Sequence, residues 1–306
     1  MTTVIALDVG GTRVKGGAAD EDGVLRDTDS WPTGADRGPE AALETVLAAA
    51  RALADRHRPA AVGIAVPGIV DEPSGTAVLA ANLGWRRLPV RDRLAEHLGL
   101  PVVLGHDVRA GGLAEARIGA GRGSRDFLFV PVGTGIAAAV MSEGRAAAGS
   151  HARAGELGHL VVRPGGDACP CGGRGCLETV ASAAAVARRY AAATGEHGAT
   201  AEDVAARAAA GERAAVTVWT EAIEALADAL TTAITLLDPE RVVIGGGLAR
   251  AGDPYLTALR AAVAERLTFQ TMPLILPAAL GDRAGCQGAA LLARDLLAHD
   301  LPRAVR

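Results

Sequence analysis

The sequence predicts an α/β protein made of two duplicated halves, and three observations predict it. A short apolar run that ends in a Gly/Thr turn, followed by a second short run and an acidic-Gly turn, begins at residue 3 and recurs at residue 126. Strand-length apolar runs alternate with longer segments in which apolar residues return every three or four positions. Hydrophobic residues make up 49% of the 306-residue chain but aromatics only 3%, and there are 39 glycines. Aliphatic side chains must therefore fill the cores, and glycines serve tight turns and close packing. The length suits about two domains.

Residues 3–8 read as a buried strand ending at Asp8. Val9-Gly10-Gly11-Thr12 turns the chain into a second strand over 13–18, closed by a turn at Asp20-Glu21-Asp22-Gly23. The glycines offer backbone N–H groups to an anion, Thr12 adds a hydroxyl, and Asp8 is placed to hold Mg²⁺ through water. An ordinary hairpin is the alternative, and neither a Walker A loop nor a G-x-G-x-x-G fingerprint is present. Leu43, Val46, Leu47, Ala50 and Leu53 mark a helix over 39–58, with Pro39 in its first turn. Strands follow at 61–66, before Pro67-Gly68 and Asp71, and at 78–81, before Asn82-Leu83-Gly84-Trp85. A helix over 89–98 leads to a strand at 102–104, which delivers His106-Asp107 to the start of a helix over 108–118. Asp107 reads either as a helix N-cap or as a carboxylate presented at a cleft.

The second half repeats the pattern: a strand at 126–132, the turn Gly133-Thr134-Gly135, a strand at 136–141 and the turn Ser142-Glu143-Gly144. Helices are expected at 179–193, 201–210 and 212–237. The last has an apolar stripe through Val216, Trp219, Ile223, Leu226, Leu230, Ile234 and Leu237 that packs a core. A strand at 241–244 runs into Gly245-Gly246-Gly247, which lets a flat base or ribose approach the backbone. A helix at 254–267, a strand at 273–276 and a last helix from 288 complete the chain. Cys286 reads as a small core residue.

Between His159 and Cys176 the spacing is H-x9-C-x-C-x4-C, and three of the 4 cysteines in the chain fall there. His159, Cys169, Cys171 and Cys176 supply the four ligands of a closed, structural zinc site. Buried thiols or a disulfide are the alternatives, but chance cysteines scatter and Cys169/Cys171 are poorly spaced for a disulfide. Glu156 and Glu178 flank the ligands and are left for another task. With 31 basic and 35 acidic residues the net charge is −4, which argues against a nucleic-acid surface. Met1-Thr2-Thr3 leads straight into a strand without a signal-peptide pattern, and no run has the length of a membrane span. Metal-bound, reduced thiols fit a cytoplasmic setting.

Together these pieces resemble the ROK family of sugar kinases and sugar-responsive repressors, most closely its bacterial glucokinases. The resemblance rests on Leu7-Asp8-Val9-Gly10-Gly11-Thr12, Val66-Pro67-Gly68, Asp107, Gly133-Thr134-Gly135, Gly155-Glu156-Leu157-Gly158-His159, the cysteine stretch through Glu178, and Gly245-Gly246-Gly247. It implies an actin-like, hexokinase-type fold of two ribonuclease-H-like domains around a cleft. The smaller domain would span 1–106, with a final helix at about 288–306 packed back on it. The larger would span 107–287, with the zinc loop at 159–176. The resemblance also implies an ATP-dependent, Mg²⁺-requiring kinase for the 6-hydroxyl of a hexose, with glucose first. Asp107 would be the general base, and Gly68, Asn82, His106, Glu156, His159 and Glu178 would contact the sugar. Asp8, Gly10, Gly11, Thr12, Lys15, Gly133, Thr134, Gly135 and Gly245–Gly247 would contact the nucleotide. A homodimer or homotetramer is implied as well.

His106 departs from the pattern, because family kinases usually carry Asn before the catalytic Asp. That residue touches the sugar in glucokinases, so N-acetylmannosamine, N-acetylglucosamine, fructose and allose stand as alternative substrates. Ala137 replaces a further Gly of the second phosphate motif. A repressor of this family carries a helix-turn-helix ahead of the first phosphate strand, and this sequence starts at that strand. A sugar-binding regulator without turnover is the remaining alternative.

Overall fold

Val4–Val9 is apolar except at Asp8 and forms β1, the middle strand of a five-stranded sheet. The computed structural model describes residues 2–21 and 23–300. Met1, Asp22 of the expected first acidic turn and residues 301–306 of the expected last helix lie outside the described residues. Strand β1 pairs antiparallel with β2 (Arg13–Ala19), which pairs antiparallel with β3 (Leu25–Pro32). On its other side β1 runs parallel to β4 (Ala61–Val66), and β4 runs parallel to β8 (Val102–His106). A separate antiparallel sheet joins β5 (Ile69–Asp71), β6 (Thr76–Ala80) and β7 (Trp85–Leu88).

Side chains alternate across a strand, and the two faces of the first sheet carry different residues. Ile5, Leu7 and Val9 pack with Val62, Ile64, Val66 and the apolar stripe of helix α1 (Pro39–His57). Val4, Ala6, Ala61 and Ala65 face the final helix, α9 (Ala284–Asp300), through Cys286, Ala289, Ala290 and Ala293. This second face is built from small residues because the helix lies close. A Cβ on Gly63 would come within 1.8 Å of the Ala289 carbonyl oxygen. Helix α2 (Val90–Leu98) buries Val90 and Leu94 in the α1 core.

The second sheet repeats the first in order and direction. Strand β9 (Phe127–Pro131) is central. On one side lie β10 (Ala139–Ser142) and β11 (Arg145–Ala146), both antiparallel, and on the other β12 (Arg241–Gly245) and β13 (Leu274–Pro277), both parallel. Its helices are α4 (Glu178–Ala181), α5 (Ala183–Thr194), α6 (Ala201–Ala209), α7 (Arg213–Leu237) and α8 (Asp253–Ala264). The middle of the α7 stripe is core, with Ile223, Leu226, Leu230 and Ile234 all buried, whereas Val216 and Leu237 at its ends are exposed. Both sheets have the hairpin-then-parallel order of an actin-like, hexokinase-type fold, so the chain consists of two ribonuclease-H-like α/β units.

The first unit runs to Arg117 and takes in Ala148–Arg153 and the chain from Arg283; the second holds Ile118–Ala147 and Ala154–Asp282. The division after Arg117 differs from the expected one after residue 106 by the helix α3 (Asp107–Ile118). The cause is packing: Ala110 of α3 lies in the α9 core, and a Cβ on Gly288 would strike the Ala110 carbonyl at 1.9 Å.

Four local expectations change. Strands β3, β5, β7 and β11 are additional. The helix expected over 179–193 is interrupted at Ser182, whose hydroxyl accepts from the Ala185 N–H and starts α5. The strand expected over 136–141 is regular only from Ala139; Ile136 makes an isolated bridge to Val132. Helix α9 begins at Ala284 rather than 288. Among the described residues no helix is long and apolar enough to cross a membrane.

Candidate functional site

In the first unit, Asp8 stands on β1 directly opposite Lys15 on β2, so the two charges flank the Val9–Thr12 turn. The turn closes by the Gly10 N–H donating to the Arg13 carbonyl at 2.8 Å, and the Thr33 hydroxyl donates to the Gly10 carbonyl at 2.7 Å. Asn82 packs over it: a Cβ on Gly11 would sit 3.1 Å from the Asn82 Cβ. A Cβ on Gly285 would lie 2.8 Å from Asp8 Oδ2, so a glycine there leaves the carboxylate uncovered. That carboxylate is a suitable hard ligand for Mg²⁺. Gly68 has φ of 91°, and a Cβ there would lie 2.1 Å from the Leu79 carbonyl oxygen. Only glycine fits at that strand end.

Asp107 begins α3 immediately after β8. Its Oδ1 accepts the Val108 N–H at 2.7 Å and faces His106 Nε2 at 3.3 Å. His106 is buried, and its Nδ1 accepts the Arg109 N–H at 3.3 Å. The imidazole therefore caps the helix. Burial first, and then the Arg109 charge, push the His106 pKa down to about 3, so the ring is neutral. Two residues that sequence reasoning missed complete this cluster. Glu72 Oε1 accepts from the His106 N–H at 2.9 Å and from Arg109 Nε at 3.1 Å.

In the second unit, the turn Gly133-Thr134-Gly135 is held by its own backbone and by the Ala183 N–H, which donates to the Gly133 carbonyl at 2.8 Å. Glu178 joins it: Oε2 accepts the Ile136 N–H at 2.9 Å. The third glycine segment follows β12, and the Leu248 N–H donates back to the Val132 carbonyl at 3.2 Å. The second and third glycine motifs therefore lie side by side. Between them opens a cavity of about 350 Å³, lined by Gly133 and Thr134 on one side and Gly247 on another, with Glu202, Trp219 and Arg250 also on its wall. Sequence reasoning missed those three as cavity residues. Trp219 was readable only as part of the α7 stripe, and its ring also lies 5.5 Å from that of Tyr255.

The cysteine stretch folds into a knuckle. The Cys169 N–H donates to the Gly173 carbonyl and the Gly172 N–H to the Cys169 carbonyl, both at 2.9 Å. Cys169 Sγ lies 3.6 Å from His159 Nδ1, and Cys171 Sγ lies 3.7 Å from Cys176 Sγ. All four ligand atoms of His159, Cys169, Cys171 and Cys176 fall within 4.8 Å of one another. A zinc tetrahedron with its usual Zn–S bonds has edges of about 3.8 Å, so the donors fit that ion in type, number and spacing. Burial pushes the Cys176 thiol up to about 12, while the Gly173 N–H pulls Cys171 down. A bound cation would stabilise all three as thiolates. The other imidazole nitrogen, Nε2, lies 3.8 Å from Glu156 Oε2. The knuckle thus ties Glu156 and His159 together, and Glu178 sits just beyond Cys176, reaching the second glycine turn.

Comparison with known proteins agrees with this architecture. The chain is 34% identical to a glucokinase of Halalkalibacterium halodurans, covering 84% of this chain and 83% of that one. It is also 34% identical to an N-acetylmannosamine kinase of Citrobacter koseri, over 95% and 99%. A ROK family glucokinase from Streptomyces griseus, solved in complex with glucose and AMPPNP, superposes with a TM-score of 0.85 at 31% identity, covering 96% of this chain and 99% of that one. The family model described as "ROK family" matches residues 4–296, and the chain belongs to the ROK family.

Proposed function

We propose that this chain is an ATP-dependent sugar kinase that phosphorylates the 6-hydroxyl of a hexose, with glucose the first candidate. The observation that carries the reading is the cavity whose lining brings Gly133-Thr134 together with Gly247. A cavity of about 350 Å³ lined by two glycine motifs gives phosphates and a flat base backbone to approach. The Streptomyces griseus relative, bound to glucose and AMPPNP, supports the same assignment.

In this reading the adenosine and phosphates contact Gly133, Thr134, Gly135 and Gly245–Gly247, with Asp8, Gly10, Gly11, Thr12 and Lys15 at the phosphate end. Gly68, Asn82, Glu156, His159 and Glu178 hold sugar hydroxyls. Asp107 takes the proton of the attacking hydroxyl as its oxygen bonds to the γ-phosphorus and ADP leaves. Asp8 would hold Mg²⁺, which neutralises phosphate charge. His159, Cys169, Cys171 and Cys176 would hold a zinc ion with all four of its positions, so it would serve structure rather than the reaction, by fixing the direction of the His159 ring.

A second reading keeps the chemistry and changes the sugar to N-acetylmannosamine. It is favoured by the Citrobacter koseri relative, as identical to this chain as the glucokinase is. A coupled ADP-release assay with ATP and Mg²⁺ across glucose, fructose, allose, N-acetylglucosamine and N-acetylmannosamine decides between them. The expected result is turnover with glucose at a kcat/KM at least about tenfold above the others, a preference of about 1.4 kcal/mol. Turnover of no sugar by zinc-loaded protein would leave the non-catalytic regulator as the better description.

A further inference from the structure

We propose that Glu72 and Arg109 are positioning residues for Asp107, acting through a His106 ring locked in the Nε2–H tautomer. Glu72 is the first turn residue after β5, on the hairpin to β6, far in sequence from the β8–α3 junction. One of its oxygens, Oε1, takes both the His106 N–H and Arg109 Nε. Arg109 is buried to 4% exposure and also donates from Nη2 to the Val70 carbonyl at 3.3 Å. The hairpin thus clamps the strand end and the first turn of α3 with one ion pair. Desolvated on the Arg side, this pair is far from a surface salt bridge, and removing one partner leaves a buried charge.

The clamp holds the first turn of α3 against the strand end, and the backbone of that turn dictates the state of the imidazole. The Arg109 N–H points at Nδ1, so Nδ1 must accept, and a neutral ring then carries its proton on Nε2. Nε2–H faces Asp107 Oδ1, which already takes the Val108 N–H. Two donors on one oxygen fix the rotation of the carboxylate. Both ring nitrogens of His106 are thereby committed, so this side chain orients the base and is not itself a hydroxyl ligand. The charged groups that face the ring are Asp107 and Arg109 from α3, while Glu72 from the hairpin meets the His106 backbone N–H. The statement about Asp107 as base rests on the kinase reading above; the hydrogen-bond relay does not.

Two measurements test it. In wild-type protein with ¹⁵N-labelled histidine, two-bond ¹H–¹⁵N correlation between pH 4.5 and 8 should show the His106 ring with a protonated Nε2, a bare Nδ1 and no titration. The signal is assigned by its loss in His106→Asn. An Nδ1–H tautomer, or titration near the ordinary histidine value, overturns the relay. In steady-state kinetics Glu72→Gln should lower kcat about 10- to 100-fold with KM for the sugar changed less than about threefold, because a misplaced base costs turnover more than binding. The double variant Glu72→Gln/Arg109→Gln removes the unpaired charge and should stay equally slow. An unchanged kcat in the single variant, or full recovery in the double, overturns the positioning role. Wild-type protein inactive on every sugar would instead defeat the kinase reading, and the ring measurement would still decide the relay.

Discussion

His106 is a histidine that burial has taken out of the physiological range, and its consequences are confined to acid. The folded protein keeps the ring neutral down to about pH 3, whereas the unfolded chain takes up a proton near 6.5. Between those values the unfolded state binds more protons, so stability rises with pH, by up to about 1.4 kcal/mol per pH unit from this group. Above the unfolded value it contributes no pH dependence. Urea midpoints at pH 5 and pH 7 should therefore separate in wild-type protein by more than in His106→Asn; equal separations would mean the ring is not desolvated. Its neighbour Asp107 is the base in the proposed kinase reaction. Asp107→Asn preserves size and keeps the first turn of α3, and should lower kcat about 10²- to 10⁴-fold with sugar binding retained. Isothermal titration with the best sugar, beside the coupled assay, measures both. At this scale the sequence disclosed the candidate chemical groups more readily than the residues that hold them. Asp8, Asp107 and the four zinc-type ligands are conspicuous because their residue types and spacing are rare. Glu72, Arg109, Glu202 and Arg250 look like any surface charge, and only the pairing across the fold distinguishes them.

Elements show the same division between what pattern discloses and what packing decides. Strands β1, β4 and β12 are almost wholly apolar runs, broken only at Asp8 and Arg241, and were plain in the sequence, since a central parallel strand is buried on both faces. Strand β3 was hidden because it is an edge: Arg26, Asp27 and Thr28 are exposed, and it ends in Pro32. Charge and proline are what protect an edge from pairing with another chain, and they erase the strand signature. Strand β7 carries Arg86 and Arg87 outward for the same result. Helix α9 began earlier than expected because Gly285, which read as loop ahead of a helix from Gly288, is itself a helix residue, and both glycines allow close approach. That approach gives a test. Gly63→Ala would place a methyl carbon 1.8 Å from the Ala289 carbonyl oxygen, against backbone that cannot rotate away. The variant should lose about 1–3 kcal/mol by urea unfolding, as overpacked cores do. A change below about 0.5 kcal/mol would show that α9 rides further from β4 than described here.

At the scale of the whole molecule, one sheet order occurs twice, and each copy has a core of its own. The core around α7 draws only on residues of the second unit, and those around α1 and α9 only on residues of the first. The duplication was visible in the sequence as two Gly/Thr turns at the heads of two halves. The register of ten strands was not, because pairing partners lie far apart in the chain and no local pattern encodes them. The cysteine knuckle belongs wholly to the second unit, where Arg163 bonds Asp228 of α7 at 2.7 Å. A structural zinc contributes on the order of 10 kcal/mol to the order of its loop, so its removal should be felt where the loop is anchored. One zinc per chain is expected by native mass spectrometry, and none in His159→Ala or Cys171→Ala. With the metal stripped by a chelator, hydrogen–deuterium exchange should rise about tenfold or more across residues 155–178 and at the α7 positions beneath them. Amides of β1, β4 and β8 should keep their protection, since no residue of their cores comes from the knuckle's unit. Metal-free protein with unchanged exchange at 155–178 would remove the zinc from the account. Equal loss of protection in both sheets would mean that the two cores unfold as one.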